Sequence, residues 1–161
     1  MNPIFRLLWI LYFHPPKIID TYNPEVIAAQ TVKKTTYVSP VYSDGLELVV
    51  NNERKSQGLS ELRDNKILDA TAHWKACDMV SKGYWAHQDP QGNWSWGHVW
   101  RAGYHYYHLG ENIARNYSSD QAIVTAWFNS PEHRQVMNDP SYRDIGIGRC
   151  GNIVVMHLGV K

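Results

Sequence analysis

"DIGIGRCGNIVVMHLGV", residues 144–160, decides the architecture. Two runs rich in apolar and β-branched residues flank Gly151-Asn152, a two-residue turn of the kind that closes a β-hairpin. Upstream the apolar spacing is helical. "NKILDATAHWKACDMVSKG" (65–83) sets Ile67, Leu68, Ala72, Ala76, Met79 and Val80 in one stripe, with Gly83 as the stop. "DGLELVVNNERKSQG" (44–58) opens on a capping box of Asp44 and Glu47, gathers Leu46, Val49 and Val50 on one face and ends at Gly58. "WSWGHVWRAG" (94–103) is a short helix ending at Gly103. Ser118 or Ser119 caps "DQAIVTAWFN" (120–129), with Ile123, Ala126 and Trp127 inward. Helices followed by a terminal hairpin give an α+β layered domain.

The chain of 161 residues is long enough for one domain with its own core. A formal net charge of +1, without a long block of one sign, argues against a nucleic-acid partner, which needs a basic face. Seven Trp, ten Tyr and three Phe supply core bulk and flat, half-polar binding surface. Residues 1–42 are broken by Pro3, Pro15, Pro16, Pro24 and Pro40 and read as an extended arm or a targeting segment, so the compact domain is assigned to 43–161. Arg6 followed by "LLWILYF" resembles a short secretory signal, although no small-x-small cleavage site follows closely. The rival reading is an apolar arm that packs on this domain or on a partner protein. No stretch offers the ~20 apolar residues needed to span a bilayer. Cys77 and Cys150 form no CxxC motif, and they read as two buried thiols in preference to a disulfide.

"NSPEHR", residues 129–134, places an acid, an imidazole and a guanidinium side by side. Ser130 suits an N-cap and Pro131 the first helical position. Glu132 in the first turn is explained by the helix dipole alone. Successive helical residues diverge by about 100°, so Glu132 and His133 do not face one cleft together. His133 is the better candidate for chemistry, because an imidazole near a helix N-terminus is biased to its neutral form. "YWAHQDPQG" (84–92) adds His87 in a loop, and "HLGENIA" (108–114) adds Glu111. Two imidazoles and a carboxylate suit zinc with a position left for water, and equally an acid–base cluster without metal. Their wide spacing does not establish that they meet.

Together these segments resemble the CAP superfamily, or SCP domain (cysteine-rich secretory proteins, antigen 5, pathogenesis-related proteins). "LVVNNERKSQGLSELRDNKILDATAHWKACDM", "GYWAHQDPQG", "AGYHYYHLGENIA", "AWFNSPEHRQVMNDP" and "YRDIGIGRC" run in family order. The "NSPxHR" form resembles the bacterial-type branch. The resemblance implies a three-layer α-β-α sandwich with a central, mainly antiparallel sheet. It also implies a cleft carrying His87, Glu111 and His133, with zinc or another divalent cation held by His87, His133 and, as a further ligand, Glu111. If the protein is an enzyme, the same three residues are its catalytic set. The family's second acid falls at Ser130, so the His/Glu tetrad is incomplete. Glu132 stands where that branch commonly has Gly and would replace the acid only through an unusual turn. Ser130, Asn112 and Glu132 are expected as the cleft wall, with Asn112 fixing the loop. A capping Ser130 would spend its oxygen on backbone amides, which disfavours a nucleophilic Ser130–His133 pair.

Arg54 resembles the family's "N-x-x-R" arginine and reads as a structural bridge. His98, His105 and His108 read as surface or supporting residues, while His73 and His157 carry no assigned role. Trp94, Trp96 and Trp100 read as core more than as a sugar platform. The favoured function is an extracellular or cell-envelope binding module for a small ligand, glycan, lipid or peptide. The alternatives are a metal- or His/Glu-dependent hydrolase, or an interaction subunit docked through residues 1–42.

Overall fold

The computed structural model describes residues 45–161. The arm assigned to 1–42, its apolar run and the cap expected from Asp44 lie outside the described residues. Helix α1 (Gly45–Ser56) is followed by β1 (Arg63–Asp64), α2 (Lys66–Lys82), α3 (Trp96–Arg101), β2 (His108–Arg115), α4 (Asp120–Asn129), α5 (Pro131–Met137), β3 (Asp144–Cys150) and β4 (Ile153–Val160). The strands form one sheet in the order β1-β3-β4-β2. β1 pairs parallel to β3, and the other pairings are antiparallel. The α+β expectation holds, and the terminal hairpin turns at Gly151, whose φ is 55°.

The strands alternate, and the alternation makes the layers. Ala114, Ile145, Ile147, Val154, Met156 and Leu158 pack with Leu46 and Val50 of α1, Ile123 and Trp127 of α4 and Met137 of α5. Ile113, Ile153 and Val155 pack instead with Ala72, Ala76 and Met79 of α2. Two helical layers thus enclose the sheet. α2 is set by Asn65, which accepts from the amides of Ile67 and Leu68, and it ends at Gly83 in the left-handed conformation. Its axis lies close on β3 because Gly146 and Gly148 have no side chain. A Cβ at either position would run into the backbone of α2 at Leu68–Asp69 or Ala72–His73.

Two expectations are corrected. Val80 is 46% exposed rather than part of the buried stripe. Met79 takes the core position of the last turn, and Val80, about 100° further round, faces out. Cys77 and Cys150 form a disulfide rather than two free thiols. The close approach of α2 to β3 brings residue 77 of the helix against the last residue of the strand. Arg54 is fully buried and donates to the carbonyls of Ser60, Met137 and Asp139 at 3.1, 2.6 and 3.0 Å, the bridge expected of it. Ser119 is the residue that caps α4.

Candidate functional site

Glu111 lies on β2 directly opposite His157 on β4. Both side chains project to the α2 face, and both residues are buried. The carboxylate accepts from three sides. Nδ1 of His87 stands 2.6 Å from Oε1, the Ser95 hydroxyl donates to Oε2 at 2.7 Å, and Nε2 of His157 stands 3.0 Å from Oε2. Burial pushes the Glu111 pKa up, but the hydrogen bonds from His157 and His87 outweigh it and hold the group at about 2. An ionised carboxylate only accepts, so His87 carries a proton on Nδ1, and in the neutral ring the lone pair is then on Nε2. That ring is partly exposed, at 38%, while the carboxylate beneath it is closed off.

The His87 loop is fixed from below. Lys75 of α2, itself buried, donates from Nζ to the His87 carbonyl at 2.7 Å and to the Tyr84 hydroxyl at 3.1 Å. Tyr84 in turn donates to Asp78 at 2.6 Å. Burial pushes the Lys75 pKa down, against the opposing pull of Glu111 and Asp78. Trp94 lies roughly parallel to His87, with ring centres 6.4 Å apart, and Trp96 stacks on Trp94 at 5.6 Å. The outer side of the site is therefore aromatic.

His133 reaches the region from α5. Its backbone carbonyl accepts from Asn112 Nδ2 at 3.0 Å, which ties α5 to the strand residue beside Glu111. Its Nδ1 lies 2.8 Å from Ser130 Oγ. Burial lowers the His133 pKa first and a charge on His87 lowers it further, with Glu132 opposing, which favours the neutral ring. The three expected residues therefore divide. His87 and Glu111 are bonded to each other, whereas His133 is bonded to Ser130 and acts on the site through its nearness to His87. Glu132 is exposed, and its charge acts on His133. Ser130 corrects the reading that its oxygen would be spent on backbone amides: it makes no side-chain cap bond, and its hydroxyl pairs with His133 Nδ1 instead. Ser95 does the same at the start of α3, leaving the helix uncapped in favour of Glu111.

His157, Ser95 and Thr71 are the site residues that the spacing does not single out. Thr71 Oγ1 lies 3.0 Å from His157 Nδ1 and 3.1 Å from the Leu68 carbonyl. The available signal is an ionisable ring in the otherwise apolar run "IVVMHLGV", since a buried polar group requires a partner.

The donors suit a cation only in part. Among the described residues no three His, Cys, Asp or Glu side chains form a cluster able to hold a metal ion. Both Glu111 oxygens are taken by protein donors. The nitrogens left for a cation are Nε2 of His87 and, if Nδ1 of His133 donates to Ser130, Nε2 of His133.

The profile of the cysteine-rich secretory protein family, CAP, matches residues 48–152, more than half of the chain. This chain belongs to the CAP family. Two Bacillus subtilis proteins are similar in sequence. YkwD is 35% identical over 100 residues, covering 62% of this chain and 39% of the relative. The membrane protein YlbC is 27% identical over 134 residues, covering 80% of this chain and 36% of the relative. The chain thus spans well under half the length of the relatives it matches. Among solved structures, an extracellular SCP-domain protein of Bacillus anthracis superposes with a TM-score of 0.70 at 22% identity, over 73% of this chain and 39% of that one. An outer surface protein of Borrelia burgdorferi gives 0.67 at 21% identity, over 72% of this chain and 90% of that one. These two likenesses establish the CAP fold. No helix among the described residues is long and apolar enough to cross a membrane.

Proposed function

We propose that this CAP domain is an extracytoplasmic binding module whose cleft takes a small ligand, glycan, lipid or peptide through His87 and His133, with Glu111 as a fixed counter-charge. One observation carries the reading: Glu111 is buried and hydrogen-bonded by three side chains, an arrangement that favours its ionised form. An ionised carboxylate has no proton to give, and three of its about four lone pairs already meet protein donors, so it chiefly orients His87 and leaves chemistry to the imidazoles. The His87 ring beside Trp94 can meet a polar group on one side and a flat or apolar face on the other. The Cys77–Cys150 disulfide suits an oxidising compartment, in keeping with action outside the cytoplasm.

Zinc or another divalent cation is an optional part of this reading. His87 and His133 would hold it by Nε2, with other positions filled by ligand or water, and Glu111 would act behind His87 as the carboxylate of a carboxylate–histidine–metal arrangement. Calorimetric zinc titration of the wild type beside His87→Ala and His133→Ala tests this. Affinity falling by about tenfold or more in both variants supports it. Unchanged affinity removes the metal from the site.

A hydrolase is the second reading, favoured by the Glu111–His87 contact, which has the form of an orienting acid and its base. Turnover of a peptide, ester or glycan substrate that is lost in His87→Ala and Glu111→Gln would establish it over binding alone.

A further inference from the structure

The loop residue His87 is aimed from the core. Its ring is held by Glu111, and Glu111 is held by the strand opposite. His157 lies on β4, which runs between β3 and β2, and it has no exposed surface. One ring nitrogen meets Glu111 Oε2 and the other meets Thr71 of α2, so the ring is clamped at both ends. We infer that His157, braced by Thr71, is the positioning residue that sets the Glu111 carboxylate and through it the tautomer and aim of His87. This rests on the reading of the cleft as a binding site at His87.

The hydrogen-bond inventory supports the assignment. Oε2 of Glu111 has two donors, Ser95 and His157, and Oε1 has one, His87. Ser95 is attached to the short helix α3, whereas His157 is anchored in the centre of the sheet. With His157 as an Nε2–H donor, the Thr71 proton satisfies Nδ1. With both nitrogens protonated, Nδ1 donates to Thr71, whose own proton turns to the Leu68 carbonyl at 3.1 Å. The clamp therefore keeps both of its contacts in either protonation state. Without it, a buried carboxylate would be fixed by one hydroxyl and the loop imidazole it is meant to orient.

Nitrogen-15 NMR of the His87 ring tests this, read beside zinc calorimetry on the same samples. The wild type should hold His87 as the Nδ1–H tautomer. His157→Leu, which removes both contacts, should lose that single tautomer and, where the wild type binds zinc, weaken zinc by about tenfold. His157→Gln, which keeps a donor for Oε2, should restore both. Thr71→Val should shift the His87 signals in the same sense as His157→Leu but less, and it serves if His157→Leu does not fold. Folded His157→Leu, or Thr71→Val in its place, with the His87 tautomer unchanged overturns the inference. A wild type that ignores zinc while its tautomer depends on His157 rejects the metal and leaves the inference standing. Zinc binding with a tautomer indifferent to residues 157 and 71 does the reverse.

Discussion

Glu111 and His157 face each other across β2 and β4, and the ring Nε2 of one stands 3.0 Å from a carboxylate oxygen of the other inside a layer closed by α2. This places the buried acid of the candidate site in the sheet and the partly exposed imidazole above it. The arrangement has consequences for stability as well as for binding.

Acid should weaken the domain through Glu111. Its folded pKa, about 2, lies below the ordinary 4.5, so its contribution is complete above 4.5 and is lost as pH falls from there through 2. The difference corresponds to about 3 kcal/mol. Urea unfolding of the wild type and Glu111→Gln across that range should give curves that converge at the acid end. Parallel curves would mean that the carboxylate contributes no pH-dependent stability.

Gly148→Ala should abolish the native fold rather than merely lower its stability. The added methyl meets the α2 backbone at Ala72 and His73, where no side chain can turn aside. Circular dichroism and a thermal melt would show this at once. A variant that folds with wild-type cooperativity would contradict the close seating of α2 on β3.

Reduction of Cys77–Cys150 should cost about 4 kcal/mol by the loop-closure argument, since the bond spans 73 positions of sequence. Denaturation with and without a dithiol reductant measures it. Equal midpoints would mean that the bridge is not formed, or that the reduced chain stays equally constrained.

Much of the fold is legible in the sequence because it is written in local pattern. The run 144–160 carries the hairpin, and Gly83 ends α2 in the expected way. Less of the site is legible, for two physical reasons. Contact between His87, Glu111 and His157 arises from cross-strand register and a loop return, which spacing along the chain does not encode. Serine has two competing uses at a helix start, and at both Ser95 and Ser130 a long-range or i,i+3 partner displaces the cap that local preference favours. The disulfide escapes a sequence reading for a related reason: the proximity of the two cysteines follows from two glycines of β3, Gly146 and Gly148, that let α2 approach.

The central claim is that Glu111 is a committed counter-charge beneath His87. Carbon-13 NMR of its side-chain carboxyl over an acid titration tests that claim most directly. The signal should remain that of a carboxylate at pH 4.5, the ordinary glutamate midpoint, and change only near 2 or when the fold is lost. Protonation at or above 4.5 in the folded protein would contradict the account, since it would make Glu111 an acid with a proton to transfer.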